Sequence, residues 1–154
     1  MSDAPRLVHA ADYYADLTID PIGVGPFGDR IIFNVTGGEF HSEAFTGSLV
    51  NAGADWLLAE GGFGRLDVRA TLKTHDDALI YVQYLGLIEL TEGIAGVIAG
   101  TNDGTDFGEQ YFFTNPRMET GDPRYSYLNT SFFVGQGRLV AGPRVEYRVY
   151  KVEN

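Results

Sequence analysis

The sequence predicts an all-β, mainly antiparallel fold: one closed or nearly closed β-barrel over residues 1–154, with a short helix or covering loop around residues 90–105. Three observations point there. Residues 64–74 alternate, Leu66, Val68, Ala70 and Leu72 one way and Asp67, Arg69, Thr71 and Lys73 the other, which is the period of a strand covered on one face. His75-Asp76-Asp77 then turns this run into a second one, Ala78 to Leu87. Nine Tyr, ten Phe and twenty Gly favour strands joined by tight turns.

Taken in order, Arg6 to Ile19 reads as the first strand, with Leu7, His9 and Ala11 on one side, and Pro21 to Pro26 breaks it. Gly28 to Val35 is the second, and Gly37-Gly38 marks a turn or bulge after it. His41 to Val50 stays extended, and Asn51-Ala52-Gly53 turns into a strand containing Asp55 and Trp56. Glu60 to Gly64 is a hairpin loop into the alternating run. After Leu87, small and apolar residues from Glu92 to Gly100 predict the helix or covering loop, held by packing because three glycines weaken it. Glu109 to Asn115 is the next strand, Arg124 to Val134 another, ended by Gly135-Gln136-Gly137-Arg138, and Pro143 to Val152 is the last. Eight or so strands at hairpin spacing close best as a barrel, which leaves few edges unprotected.

Composition narrows the function. A formal charge of −10 repels phosphate backbones, so nucleic acid is not an expected partner. No run approaches about 18 apolar residues, so no membrane span is expected. The absence of cysteine removes disulfides, thiolate metal sites and a Cys nucleophile, and the first residues lack a secretory pattern, so the expected location is cytoplasmic. His9, His41 and His75 have no metal-ligand spacing, and neither a nucleotide-binding glycine motif nor a GxSxG is present. No metal and no cofactor are expected.

Thr36-Gly37-Gly38, Gly53-Ala54-Asp55-Trp56, Leu66-Asp67-Val68-Arg69, Thr74-His75-Asp76-Asp77 with Leu79-Ile80-Tyr81, Met118-Glu119-Thr120-Gly121 and Tyr125-Ser126-Tyr127-Leu128-Asn129 follow one another along nearly the whole chain. In order and spacing these six blocks resemble the DUF3237 (UPF0311) family. The resemblance implies a small β-barrel, mostly bacterial and fungal. Two positions depart from the family pattern: Asp77-Ala78 stands where it has Asp-Gly, which bears on the turn type, and Met118 where an aromatic residue is usual, which bears on pocket shape.

The same blocks supply the candidate site. Asp55, Asp67 and Glu119 are candidate bases whose pKa desolvation would raise, and Arg69, Tyr81 or Asn129 would stabilise a carbonyl or enolate oxygen. Trp56, Tyr81, Tyr111, Tyr127 and Asn129 are candidate ligand contacts. All of this requires the polar faces to look into the barrel. The plain alternative puts Leu66, Val68, Ala70 and Leu72 in the core, leaves Asp67, Arg69 and Lys73 in solvent, and makes Trp56 a core anchor beside a turn-capping carboxylate. Three functions stand open: cofactor-free acid–base chemistry (isomerase, cyclase or lyase) on a carbonyl-containing or aromatic compound, non-catalytic ligand carriage, and a structural barrel. The expected partners are a small organic ligand and, for assembly, a second copy in a homodimer.

Overall fold

The computed structural model describes residues 3–154. Among the described residues ten strands and one α-helix are formed: β1 Arg6–Gly25, β2 Gly28–Ser42, β3 Thr46–Leu49, β4 Ala54–Glu60, β5 Phe63–Thr74, β6 Leu79–Glu89, α1 Glu92–Ala99, β7 Phe112–Thr114, β8 Arg117–Glu119, β9 Phe133–Val140 and β10 Arg144–Glu153. Every pairing is antiparallel, and β5 pairs with β6 as well as β4, so β1, β2, β4, β5, β6, β7, β9 and β10 form a ring. The closure is uneven. The β5–β6 seam runs unbroken from Phe63↔Glu89 to Lys73↔Leu79, whereas β7 holds β9 only through Phe113↔Gln136 and Thr114↔Gly135. β3 bridges β2 and β5, and β8 extends the β6 edge.

The predicted alternation fixes the inside of this ring. Leu66, Val68, Ala70 and Leu72 of β5 and Ile80, Val82 and Tyr84 of β6 are buried. Residues of the opposite parity, Arg69 and Tyr81 among them, face outward. Burial of the apolar face is worth about 25 cal/mol per Å², far more than an exposed Asp–Arg pair, so the aliphatic side wins the interior.

Four local expectations are corrected. Pro21 to Pro26 does not end the first strand: β1 runs on to Gly25 and absorbs the break as a register shift between Pro21 and Gly23. A second shift between His9 and Ala11 moves Leu7 and His9 off the side of Ala11, which turns Ala11, Tyr13 and Ala15 inward. The glycine pair does not follow the second strand but lies within one continuous β2: the bulge falls just before it, at Thr36, and Gly38 at φ 147° passes so close to Tyr14 that a Cβ would strike the Tyr14 carbonyl oxygen. Pro123–Thr130 is a set of 3-10 turns in place of the first part of the predicted 124–134 strand, and Gly135 to Arg138 lies inside β9. The cause is capping: the Asp122 carboxylate accepts the Arg124 N–H at 2.9 Å, and Pro123 presets the first turn.

The covering element is α1. Thr91 caps it by accepting the Ile94 N–H, Gly100 ends it at φ 78°, and Ile94 and Val97 are buried against the barrel. At the departure Asp77-Ala78, Asp77 itself takes the left-handed conformation at φ 70°, one of the few residue types besides glycine that does so readily. Among the described residues no helix is long and apolar enough to cross a membrane.

Candidate functional site

The interior has two unlike halves. At the end closed by the 75–78 turn and the 3-10 segment, Phe45 stacks on Phe40 (centroids 5.1 Å apart) and meets Tyr125 at 4.9 Å. Tyr125 donates to Asp76 at 2.6 Å, and Arg124 pairs with Asp76 and Asp122. That end is filled. The other end, beneath α1, holds a cavity of about 300 Å³. Its walls are Leu17, Ile31, Phe33, Leu57, Leu66, Ile88 and other apolar groups, with Ile94, Ala95, Ile98 and Ala99 of α1 across the mouth. Asp29, Asp55, Tyr84 and Tyr147 are the acidic and phenolic groups of the lining.

Three of these share the floor because of strand register. Asp55 pairs across strands with Val68, and Val68 with Tyr84, which puts Asp55 and Tyr84 in one row on the inner face. On the opposite wall Tyr147 pairs with Tyr13, their rings 4.9 Å apart, and Tyr84 meets Tyr147 edge-on at 5.7 Å. Gly137, paired with Tyr147, leaves the space that the Phe112 ring fills; a Cβ there would sit 2.7 Å from that ring.

The Asp55 carboxyl is held by a gap in the β4–β5 ladder. Trp56 and Leu57 make no ladder pair with Asp67 and Leu66. The Asp67 N–H donates instead to Asp55 Oδ1 at 3.0 Å, and the Trp56 carbonyl accepts Arg30 Nη1 at 2.7 Å. One carboxyl oxygen is therefore anchored by the backbone. Asp55 is partly buried and lines the cavity. Desolvation pushes its pKa up to about 7; the Asp67 N–H and Arg30 pull down, and the Asp67 carboxylate pushes up. Burial likewise raises Tyr13, Tyr84 and Tyr147 well above the usual phenol value, so they remain hydroxyl donors at neutral pH. Tyr13 Oη makes no hydrogen bond, although the Tyr84 phenol stands close enough to influence it.

Of the residues singled out from the sequence, Asp55 faces this cavity. Trp56, next along β4, points outward and is 39% exposed. Asp67 presents its backbone to Asp55 and its side chain to the outer face, beside Arg69, and no ion pair joins the two. Arg69, Tyr81 and Glu119 also lie outside; Tyr81, Glu119 and Asn129 border one surface groove with Gln83 and Arg117. Asn129 is committed to the backbone of Thr120, accepting its N–H and donating to its carbonyl. Tyr111 and Tyr127 are about half exposed. Tyr125, Tyr127, Asn129 and Ser131 do not share a strand face, because 123–130 is not extended. The structure adds Tyr84, Tyr147 and Tyr13. Each stands among small or aliphatic residues two positions away, as in Ala11-x-Tyr13-x-Ala15 and Val145-x-Tyr147-x-Val149, and a phenol on an apolar parity is the signal that marks it. Among the described residues no cluster of three His, Asp or Glu is arranged to hold a metal ion.

The family model described as "Protein of unknown function (DUF3237)" matches residues 5–152. The chain belongs to the DUF3237 family. A UPF0311 protein of Rhodopseudomonas palustris is 31% identical over 130 residues, 81% of each chain. A crystal structure of a protein from the same species superposes on this DUF3237 chain with a TM-score of 0.87 at 27% identity, covering 99% of this chain and 100% of that one. A β-barrel-like protein from Acinetobacter baumannii superposes with a TM-score of 0.80 at 28% identity, covering 99% of both. PR-toxin biosynthesis cluster protein 7 of Penicillium roqueforti is 28% identical over 156 residues, 88% of this chain and 84% of that one.

Proposed function

We propose that this DUF3237 barrel is a cofactor-free acid–base enzyme acting on a neutral, largely apolar carbonyl compound. The observation that carries this is Asp55: a carboxyl poised near neutral pH at the floor of an apolar cavity, one oxygen anchored and the other free. A group titrating near the working pH is available both to take and to return a proton. In the proposed step Asp55 removes a proton from the carbon beside the carbonyl, forming the enolate. Tyr84 and Tyr147 donate hydrogen bonds to the enolate oxygen, which gains charge in the transition state. The protonated Asp55 then returns the proton to the same or a conjugated carbon, an isomerisation; collapse of the enolate onto or away from a neighbouring group makes the same machinery a cyclase or lyase. With carboxyls at floor and rim and no cation in the lining, an anionic ligand is disfavoured. The Penicillium roqueforti relative, named for a toxin biosynthesis cluster, is consistent with chemistry on such a small organic compound.

The near-uniformly apolar lining also favours a second function, carriage without chemistry. One experiment separates the two. A panel of neutral ketones, enones and phenols is screened by thermal shift, and stabilising compounds are incubated with the protein in D₂O and followed by proton NMR. Deuterium entering at the carbon beside the carbonyl, at a rate reduced at least about 100-fold by Asp55→Asn, is the expected result. Binding without exchange identifies a carrier, and no stabilising compound in the panel rejects both.

A further inference from the structure

The polar residues of β5, β6 and β8 that do not reach the cavity form a pattern of their own. Register places them in rows across the outer face: Arg65, Leu87 and Phe113; Asp67 and Leu85; Arg69, Gln83 and Arg117; Thr71, Tyr81 and Glu119; Lys73 and Leu79. Two features set this face apart. Arg65, Arg69 and Arg117 are the described arginines that make no hydrogen bond, ion pair or ring contact, in a chain where acidic residues outnumber basic ones by 21 to 11. Along the centre of the face β6 exposes Leu79 at 60%, Tyr81 at 38% and Leu85 at 65%. Unpaired arginines around exposed Leu and aromatic side chains match the composition of a protein–protein contact.

We infer that this outer β5–β6–β8 face is the contact through which two copies of the chain form a two-fold symmetric dimer. The rows are self-complementary in one register. A two-fold axis running across the strands between the Gln83 and Tyr81 rows sets Leu85 against Leu79 of the partner subunit. It sets Arg117 against the partner's Glu119 and Asp67 against the partner's Lys73, each contact occurring twice. Opposite charges two residues apart on one strand, Arg117 with Glu119 on β8, are what this register requires. The rest of the surface argues for the same occupant: two chains of −10 repel each other through most orientations, and this face brings base to acid. Lys73 is already 3.4 Å from Asp77 in an exposed pair, which it exchanges at little cost. No residue that lines the cavity takes part; Asp67, whose N–H holds Asp55, is the one residue common to the contact and the site.

Sedimentation equilibrium across the micromolar range tests this. The wild-type chain is expected to move from one chain mass to two, and Leu85→Glu to weaken association at least about tenfold, the 1.4 kcal/mol that one lost apolar contact supplies. Arg117→Glu and Glu119→Arg are each expected to weaken it, and the double exchange Arg117→Glu with Glu119→Arg to restore it, which a misfolded variant would not do. A monomer throughout overturns the inference. So does a dimer that survives Leu85→Glu, or one that dissolves with Val24→Glu, since Val24 lies on the exposed apolar tip of the β1–β2 hairpin.

Discussion

Phe45 and Leu57 are both buried aliphatic or aromatic core residues, yet they live in opposite halves of one barrel. Phe45 is wedged between Phe40 and Tyr125, with atoms on every side. Leu57 faces about 300 Å³ of unfilled volume. Empty volume forfeits dispersion contacts, so the hollow half contributes less to stability per residue than the filled half. The difference teaches a division of labour. The stacked aromatics and the Asp76–Arg124–Tyr125 cluster hold one end shut, and that end carries the other as an open cup floored by Asp55 and the tyrosines.

This contrast can be broken from either side. Phe45→Ala, in the filled half, is expected to cost about 3–5 kcal/mol, read as a lower urea midpoint; a loss below about 1 kcal/mol would mean that the closed end is not the anchor. Asp55→Asn, on the floor, should act in the other direction and only at higher pH. The native carboxyl keeps its proton up to about pH 7, whereas the unfolded chain releases it near the ordinary value of 3.8. Between those values the native state binds more protons, so this group makes stability fall as pH rises. Relative to wild type, the Asn variant should thus gain up to roughly 4 kcal/mol at pH 8 and nothing near pH 4. Parallel urea titrations at the two pH values decide it, and equal offsets at both would show that Asp55 is not desolvated. The smallest effect is expected of Ala59→Leu, which grows a side chain into the cavity: stability unchanged or higher by about 0.5–1 kcal/mol, with loss of the thermal shift given by any cavity ligand. A variant that still responds to that ligand would place it elsewhere.

Much of the architecture is legible in the chain because strand parity is a local property. Leu66 to Leu72 against Asp67 to Lys73 is visible without coordinates, and so is the turn at His75-Asp76-Asp77. What parity does not reveal is which side is enclosed, and Asp67, Arg69, Tyr81 and Glu119 lie on the solvent side for that reason. Tyr125 to Ser131 has strand-like composition, but the Asp122 cap and the bond from Tyr125 to Asp76, 49 residues away, override it. A contact of that span is invisible to any window of sequence. Asp55 and Tyr84 are similarly joined only through Val68, a row that exists once three strands are in register.

The gap in the ladder beside Trp56 has a consequence for handedness. The donor that fixes one oxygen of Asp55 belongs to the main chain at Asp67, so no ordinary side-chain replacement there removes it, and proline alone among the standard residues lacks it. In the chemistry proposed for Asp55, a carboxyl pinned in this way would deliver its hydrogen from one direction. A flat enolate lying on the tyrosine floor would receive it on a single side, and a newly formed stereocentre would emerge as one enantiomer, not a racemate.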